Sequence, residues 1–337
     1  MVPGSRMRPG TILAGGDVLD QPVPNIMRQG KLAPWLYLAP SLIVIFVFIV
    51  YPMVNTILLS LRNADSSQWA NTVCAEGRSC WGVFENFRYA LTSELDTSST
   101  ASLWRSFWIS SFGNNLKWIL FMVTGSVGFG LLLAVLADRV SYESLAKSVI
   151  FMPMAISFVG AGIIWRFVYN FGTGGNQIGL VNAIITGLGG QPVSFLTRIP
   201  WNTFFLIVVG VWIWAGFCTV ILSAAIKSVP TELIEAARID GASEMRVFWR
   251  ITIPIILPTI VVVITTMVIN TLKIFDIVFV MTGGNFSTEV IANRMYTEMY
   301  INQQTGRGTA VAVVLILAII PFMIVSIRRF REQEAIR

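Results

Sequence analysis

Long unbroken apolar runs alternate along this chain with short polar stretches, and the runs show neither the two-residue alternation of a barrel strand nor the polar stripe of a soluble helix. Stretches such as LAPSLIVIFVFIVY and AVAVVLILAIIPFMIV offer no polar face to water, so they must face lipid or one another. In hydrocarbon every backbone N–H and C=O needs an internal partner, which makes each run a helix. Six runs are long enough to span a bilayer: residues 35–61, 115–136, 149–168, 203–226, 254–281 and 309–327. The predicted fold is all-α and polytopic, with a membrane domain over 35–327 between tails at 1–34 and 328–337. The first run begins too late and is too long for a cleaved signal peptide, and reads as a retained span.

Composition agrees with the pattern. Hydrophobic residues make up 55% of the 337 and charged residues 12%, about half the ~25% charge of soluble domains. Lys and Arg then set the orientation. With the N-terminus inside, fourteen lie on cytoplasmic pieces and seven outside, while Lys117, Arg166 and Lys273 fall in or beside the runs. The positive-inside rule therefore places both termini and the 228–253 loop in the cytoplasm. The net charge of +6 is this bias, and it requires no nucleic-acid partner.

The outer loops carry little recognisable chemistry. The longest, 62–112, holds Cys74 and Cys80, which in an oxidising compartment are candidates for a disulfide. Cys218, inside the fourth run, reads as a packed small hydrophobe. The Gly-rich loop at 170–200 lacks the G-x-x-x-x-G-K-[ST] order of a phosphate cradle. The chain has no His, so it has neither an H-E-x-x-H metal site nor a His-based triad. No metal site and no enzyme are expected, and if ATP drives transport another subunit hydrolyses it.

One cytoplasmic segment stands apart. In EAARIDGASEMRVFWRITIP, residues 235–254, helical spacing sets Ile234, Ala237 and Ala242 opposite Glu235, Arg238 and Glu244, and Gly241 offers a turn between two short helices. Such a segment suits a groove on a partner. The plainer reading is an interfacial helix held down by Arg238, Arg246 and Arg250.

The order Glu235-Ala236-Ala237, three residues, Gly241, nine residues, Ile251-x-Ile253-Pro254 resembles the EAA signature of permease subunits of binding-protein-dependent ABC importers, with Ile253 where the pattern favours Leu. WLYLAPSLIVIFVFIVYPMVNTILLSL and KIFDIVFVMTGGNFSTEV resemble segments of maltose-type sugar permeases, although Asn285-Phe286 replaces a common Gly-Pro. KSVIFMPMAISFVGAGIIWRFVY and GRGTAVAVV are similar to the first permease subunit of α-glucoside-type systems. The resemblance implies that the EAA segment docks into the ATPase. Glu235 would then be the docking carboxylate, Ala236 and Ala237 would allow close helix approach, Gly241 would make the bend, and Asp240 and Pro254 would complete the motif.

The resemblance also implies a bacterial inner-membrane assembly. Its parts would be a second, similar permease, two ATPase copies carrying ATP and Mg, and an extracytoplasmic sugar-binding protein, with no cofactor in this chain. The cargo would be a sugar such as an α-glucoside, a disaccharide or a glucosylglycerol-like solute. For the sugar path, a run over 254–281 centres near Met267 or Val268, which places Lys273 ~8 Å and Asp276 ~13 Å outward. Asn270 and Thr271 lie nearer the middle, where neutral hydrogen-bonding groups suit a polyol, although Asn270 can equally bond another helix. Similarity to maltose-type permeases puts Met267, Asn270, Thr271 and Ile274 on the substrate-facing stripe. Trp212, Trp214 and Phe217 on the fourth run either supply stacking platforms for sugar rings or fill the bundle. The competing function is an ion-coupled secondary transporter acting without an ATPase. It would require acidic residues near the bilayer centre, and the runs hold none there.

Overall fold

The computed structural model describes residues 33–67, 69, 83–172 and 178–335. Cys74 and Cys80 lie outside the described residues, as does nearly all of the N-terminal tail. The chain divides into two compact units, Met1–Val54 and Asn55–Arg337. The described part of the first is apolar helix, where α1, Trp35–Ser60, begins.

The second unit is a helical bundle with short helices at its ends. In chain order these are α2 (Glu85–Thr92), α3 (Thr100–Ile109), α4 (Ser111–Ala137), α5 (Glu143–Phe151), α6 (Phe158–Val168), α7 (Leu180–Gly187), α8 (Asn202–Lys227), α9 (Thr231–Ile239), α10 (Glu244–Leu272), α11 (Asp276–Met281), α12 (Ile291–Tyr296) and α13 (Thr305–Ala335). No strand forms among the described residues. Among the described residues five helices, α1, α4, α8, α10 and α13, are long and apolar enough to cross a membrane. The segments Glu143–Ala155 and Phe158–Val168 are apolar enough together to count as a sixth span if the bent pair is taken as one.

The core lies between α4 and α8. Lipid tails are as apolar as leucine, so helices associate in a membrane by close packing of small residues rather than by escape from water. At Gly130 a Cβ would stand 2.4 Å from the Cβ of Cys218 and 3.2 Å from the Ala215 carbonyl. Only glycine allows this approach. Around it Trp118, Met122, Leu206, Ile213 and Leu222 are shut away from solvent, and Cys218 is buried as a small hydrophobe.

Two expected spans are interrupted, each for a local reason. The third run, expected as a straight helix over 149–168, bends by 97° between Ala155 and Phe158. Pro153, which has no N–H to donate, sits in a tight 3-10 turn over Met152–Ala155. Ile156 and Ser157 are then extended, and the Ser157 hydroxyl accepts the Gly160 N–H at 3.0 Å, so that α6 starts afresh. The fifth run, expected to continue to Met281, stops at Leu272. The Leu272 carbonyl, which residue 276 would use in a continuing helix, instead accepts from Asn115 Nδ2 at 3.3 Å. Asn115 Oδ1 in turn accepts the Ile291 N–H at 2.8 Å.

Side-chain amides hold the whole irregular segment after α11. Asn114 Nδ2 donates to the carbonyls of Ser287 (2.9 Å) and Glu289 (2.8 Å), and Asn202 Nδ2 donates to that of Phe286 (2.6 Å). On the same end of the bundle the buried Arg294 donates to Glu94 (3.0 Å) and to the Ala90 carbonyl (2.8 Å), which ties α12 to α2. Glu94 also accepts from the N–H and hydroxyl of Ser111, at 3.1 and 2.6 Å, and so joins the start of α4 to the cluster.

Within this cluster burial, and then the nearby Glu94 carboxylate, push the Glu289 carboxyl up to about 7, against the hydrogen bond from Asn293 and the charge of Arg294. A carboxyl that binds its proton more tightly folded than unfolded contributes stability that is present below its ordinary pKa and lost as pH rises through the folded value. Glu289→Gln, neutral at every pH, is therefore expected to raise the melting temperature by a few degrees near pH 8 and to leave it unchanged near pH 4. Thermal unfolding of the purified chain at both pH values checks this, and an equal shift at the two would contradict it.

Candidate functional site: the α9 turn and its seat

The segment 228–253 forms two helices joined at a glycine. Helix α9 has Glu232 in its first turn and Arg238 in its last, each favourable to the helix dipole. Its end is a Schellman turn. The Ala242 N–H reaches back to the Ala237 carbonyl and the Gly241 N–H to the Arg238 carbonyl, both at 3.0 Å. Gly241 takes φ +78°, which an L side chain adopts only under strain, and nothing lies within 4 Å of where its Cβ would be. The backbone alone favours glycine here.

Across the turn Arg238 grips Glu244 with two hydrogen bonds, Nε to Oε1 at 2.7 Å and Nη2 to Oε2 at 3.1 Å. The bond to Glu244 holds the guanidinium pKa above its ordinary value. Both groups are about half exposed, so the pair sets the angle of the turn more than it stabilises the fold. Pro254 is met by the helix geometry as well. A π turn over Phe248–Thr252 precedes it, and the Ile253 N–H bonds the carbonyl of Phe248 five residues back. That wider turn admits a residue with no N–H.

Of the coupling residues expected from the sequence, Glu235, Ala236, Asp240, Gly241 and Pro254 are exposed, and Ala237 is half-buried. Helix α9 is seated by Ile234, which packs on the cluster of Ala225, Val229 and Ile256. Ile234, Asp138, Arg139, Arg238, Glu244 and Thr252 border a cavity of about 160 Å³ beneath the turn.

Beside that seat lies an ion network that sequence reading does not single out. Lys147 Nζ is 2.7 Å from Asp138 Oδ1 and 2.5 Å from Glu143 Oε1, and Lys227 also bonds Glu143. The Ser223 hydroxyl donates to Asp138 at 2.7 Å. The ends of α4, α5 and α8 are thereby bound together next to the turn. Only the i, i+4 spacing of Glu143 and Lys147 signals this in the sequence. Asp138, Ser223 and Lys227 come from other helices.

The expected sugar-path residues differ in burial. Met267 and Thr271 are fully buried, the Thr271 hydroxyl donating to the Met267 carbonyl at 2.7 Å and lying 3.7 Å from the Met122 sulfur. Ile274 is buried with them. Asn270 is half-buried, and its amide donates to the Thr266 carbonyl at 2.9 Å. Because α10 ends at Leu272, Asn270 and Thr271 stand in its last turn rather than near its middle. Trp214 does lie midway along α8, with ring centroids 6.2 Å from Phe158 and 5.7 Å from Phe217. Trp212 points elsewhere, against Trp165 at 5.5 Å. Phe158, placed beside Trp214 by the bend before α6, is the aromatic that the linear sequence does not connect to this group.

A family model described as the binding-protein-dependent transport system inner membrane component matches residues 126–331, which include Gly130, all of α8, the α9 turn and the ion network. The chain belongs to this family. Among similar members, the osmoprotective compounds uptake permease protein GgtC of Synechocystis sp. is 46% identical over 303 residues, covering 90% of this chain and 100% of the relative. The alpha-glucoside transport system permease protein AglF of Rhizobium meliloti is 40% identical over 312 residues, covering 92% and 86%. The fold also matches a chain of a bacterial ABC transporter involved in the import of the acidic polysaccharide alginate, with a TM-score of 0.64, 24% identity and coverage of 88% and 95%. The protein is thus a membrane component of a transport system, and the α9 turn is part of its family core.

The backbone of the α9 turn makes a direct expectation. Gly241→Asn, whose side chain tolerates the left-handed region, leaves the turn closed, whereas Gly241→Val opens it at a cost of about 1–2 kcal/mol. Trypsin cleavage after the exposed Arg238 reports the difference, faster for Val than for Asn or wild type. Equal rates for all three would show that φ at this position does not hold the turn.

Proposed function

We propose that this chain is the permease subunit of an ATP-driven importer for a neutral sugar of the α-glucoside, disaccharide or glucosylglycerol type. The observation that carries the reading is the α9 turn. A helix held rigidly at both ends presents Glu235 and Ala236 outward, and the apolar Ile239, Met245 and Trp249 beside it are 87%, 67% and 59% exposed. Apolar side chains so open at a charged helix end suit a partner's groove. That partner is an ATPase, present in two copies, which binds ATP and Mg. A second permease completes the membrane path, and a solute-binding protein delivers the sugar from outside. The sugar class is supported by the two relatives above, whose names concern osmoprotective compounds and α-glucosides and whose identity runs over nearly the whole chain. The protein resides in a bacterial inner membrane with both termini in the cytoplasm, as the Lys and Arg bias supports.

The half-buried Trp214, Phe217 and Phe158 form the aromatic surface on which a sugar ring stacks, and the half-buried Asn270 in the last turn of α10 is the neutral group that hydrogen-bonds it. Met267, Thr271 and Ile274 act behind them, by packing.

Two outcomes test this reading. Glu235→Lys is expected to leave the chain in the membrane at wild-type abundance while abolishing sugar uptake and the ATPase stimulation by loaded binding protein, since the reversed charge faces a site shaped for a carboxylate. Normal uptake with that variant would remove the docking role. A tag at either terminus is expected to report from the cytoplasm and a cysteine label at Ser98 from outside, and an external C-terminus would refute the orientation.

A further inference from the structure

Helix α3, TASLWRSFWI, is amphipathic, and neither the coupling turn nor the sugar path uses it. Leu103, Phe107, Trp104 and Trp108 share one arc of the helix, while Ser102, Arg105 and Ser106 share the other. The apolar arc is left open: Leu103 is 38% and Trp104 63% exposed. Its aromatics contact mainly one another, with Trp104 6.1 Å from Phe107 and 5.8 Å from Trp108. A helix that turned such an arc to water would expose an aggregation-prone patch.

The position of α3 indicates what covers it. Helix α3 runs directly into the span α4 through the single extended residue Ser110, whose hydroxyl accepts the Gly113 N–H at 3.2 Å. The corner is tight. A Cβ at Gly113 would fall 2.1 Å from the Phe107 carbonyl, so the two helices are fixed to each other as a unit. In α4 the apolar residues from Leu116 to Leu136 extend ~31 Å, which matches the ~30 Å hydrocarbon core. Ser110 then stands at most ~9 Å beyond that core, in the headgroup layer, where tryptophan is enriched at membrane interfaces. This is the end of α4 opposite Asp138 and the α9 turn. On its polar arc Arg105, exposed and with no partner among the described residues, borders an open cavity of about 510 Å³ with Asp96, Ser102 and Ser106.

We propose that α3 lies in the lipid headgroup layer on the side of the membrane opposite the coupling turn, with Trp104 and Leu103 inserted toward the acyl chains and Arg105 on headgroup phosphates. The continuity of α3 with a span of matching length selects lipid as the occupant, and an unpaired cation beside an apolar arc suits an anionic headgroup. The helix thereby anchors the outer end of α4 at a fixed depth.

The test uses the full chain in nanodiscs of phosphatidylethanolamine and phosphatidylglycerol. Nitroxide labels are placed singly at Leu103→Cys, Trp104→Cys, Arg105→Cys and Ser106→Cys after Cys74→Ser, Cys80→Ser and Cys218→Ala. Collision with oxygen relative to a water-soluble nickel chelate is expected to be severalfold higher at 103 and 104 than at 105 and 106. Preference for nickel at all four positions would place the helix in water, and protection from both agents at 103 and 104 would place it against protein. Either result overturns the proposal. With the native side chains retained, phosphatidylglycerol added to the detergent-solubilised chain is expected to raise the melting temperature more for wild type than for Arg105→Gln. Equal shifts would remove Arg105 from headgroup binding.

Discussion

Every departure from regular helix in this protein has to satisfy the backbone groups it releases, because lipid offers them nothing in exchange. The end of the bundle opposite the α9 turn meets that constraint with asparagine. Asn114 and Asn115 from α4 and Asn202 from α8 supply amides to carbonyls of Leu272, Phe286, Ser287 and Glu289, and Asn115 also takes the N–H of Ile291. A buried group left without its partner costs about 1–3 kcal/mol. The irregular segment between α11 and α12 is thus possible only because three side chains on neighbouring spans stand where water otherwise would.

The end beside the α9 turn meets a related constraint with charge. Asp138, Glu143, Lys147 and Lys227 join three helix ends through ion pairs, with Ser223 accepting from Lys147 while donating to Asp138. Asp138 Oδ2, buried and without a hydrogen-bond partner, belongs to a residue that also borders the cavity under α9. The seat of the turn and the ion network therefore share a wall. A displacement of α9 acts on Ile234 and on the helix ends together, rather than on a loose loop. The tight contact at Gly130 continues that rigidity into the middle of α4 and α8.

The two ends of the bundle differ in how they face their surroundings. The α9 turn puts charge and apolar side chains outward together, whereas α3 sorts them onto opposite arcs. Surfaces of the first kind suit a protein partner with its own pattern of charge, and those of the second suit a layered medium that is polar above and apolar below.

Sequence alone was sufficient for the all-α fold, the long apolar helices and the family. Apolar runs of spanning length have one stable form in lipid, and the spacing of Glu235, Ala236, Ala237, Gly241 and Pro254 is local enough to be read along the chain. The turn at Gly241 was legible for the same reason, since its geometry depends on six consecutive residues, Ala237 to Ala242. Tertiary structure decided what depends on partners far apart in the chain. The end of α10 at Leu272 is set by Asn115 of another helix, the ion network takes members from three helices, and Phe158 reaches Trp214 only through the bend after Pro153. Hydropathy records how apolar a residue is. It carries no record of which remote side chain will claim a given carbonyl, and that competition fixed where the spans stop.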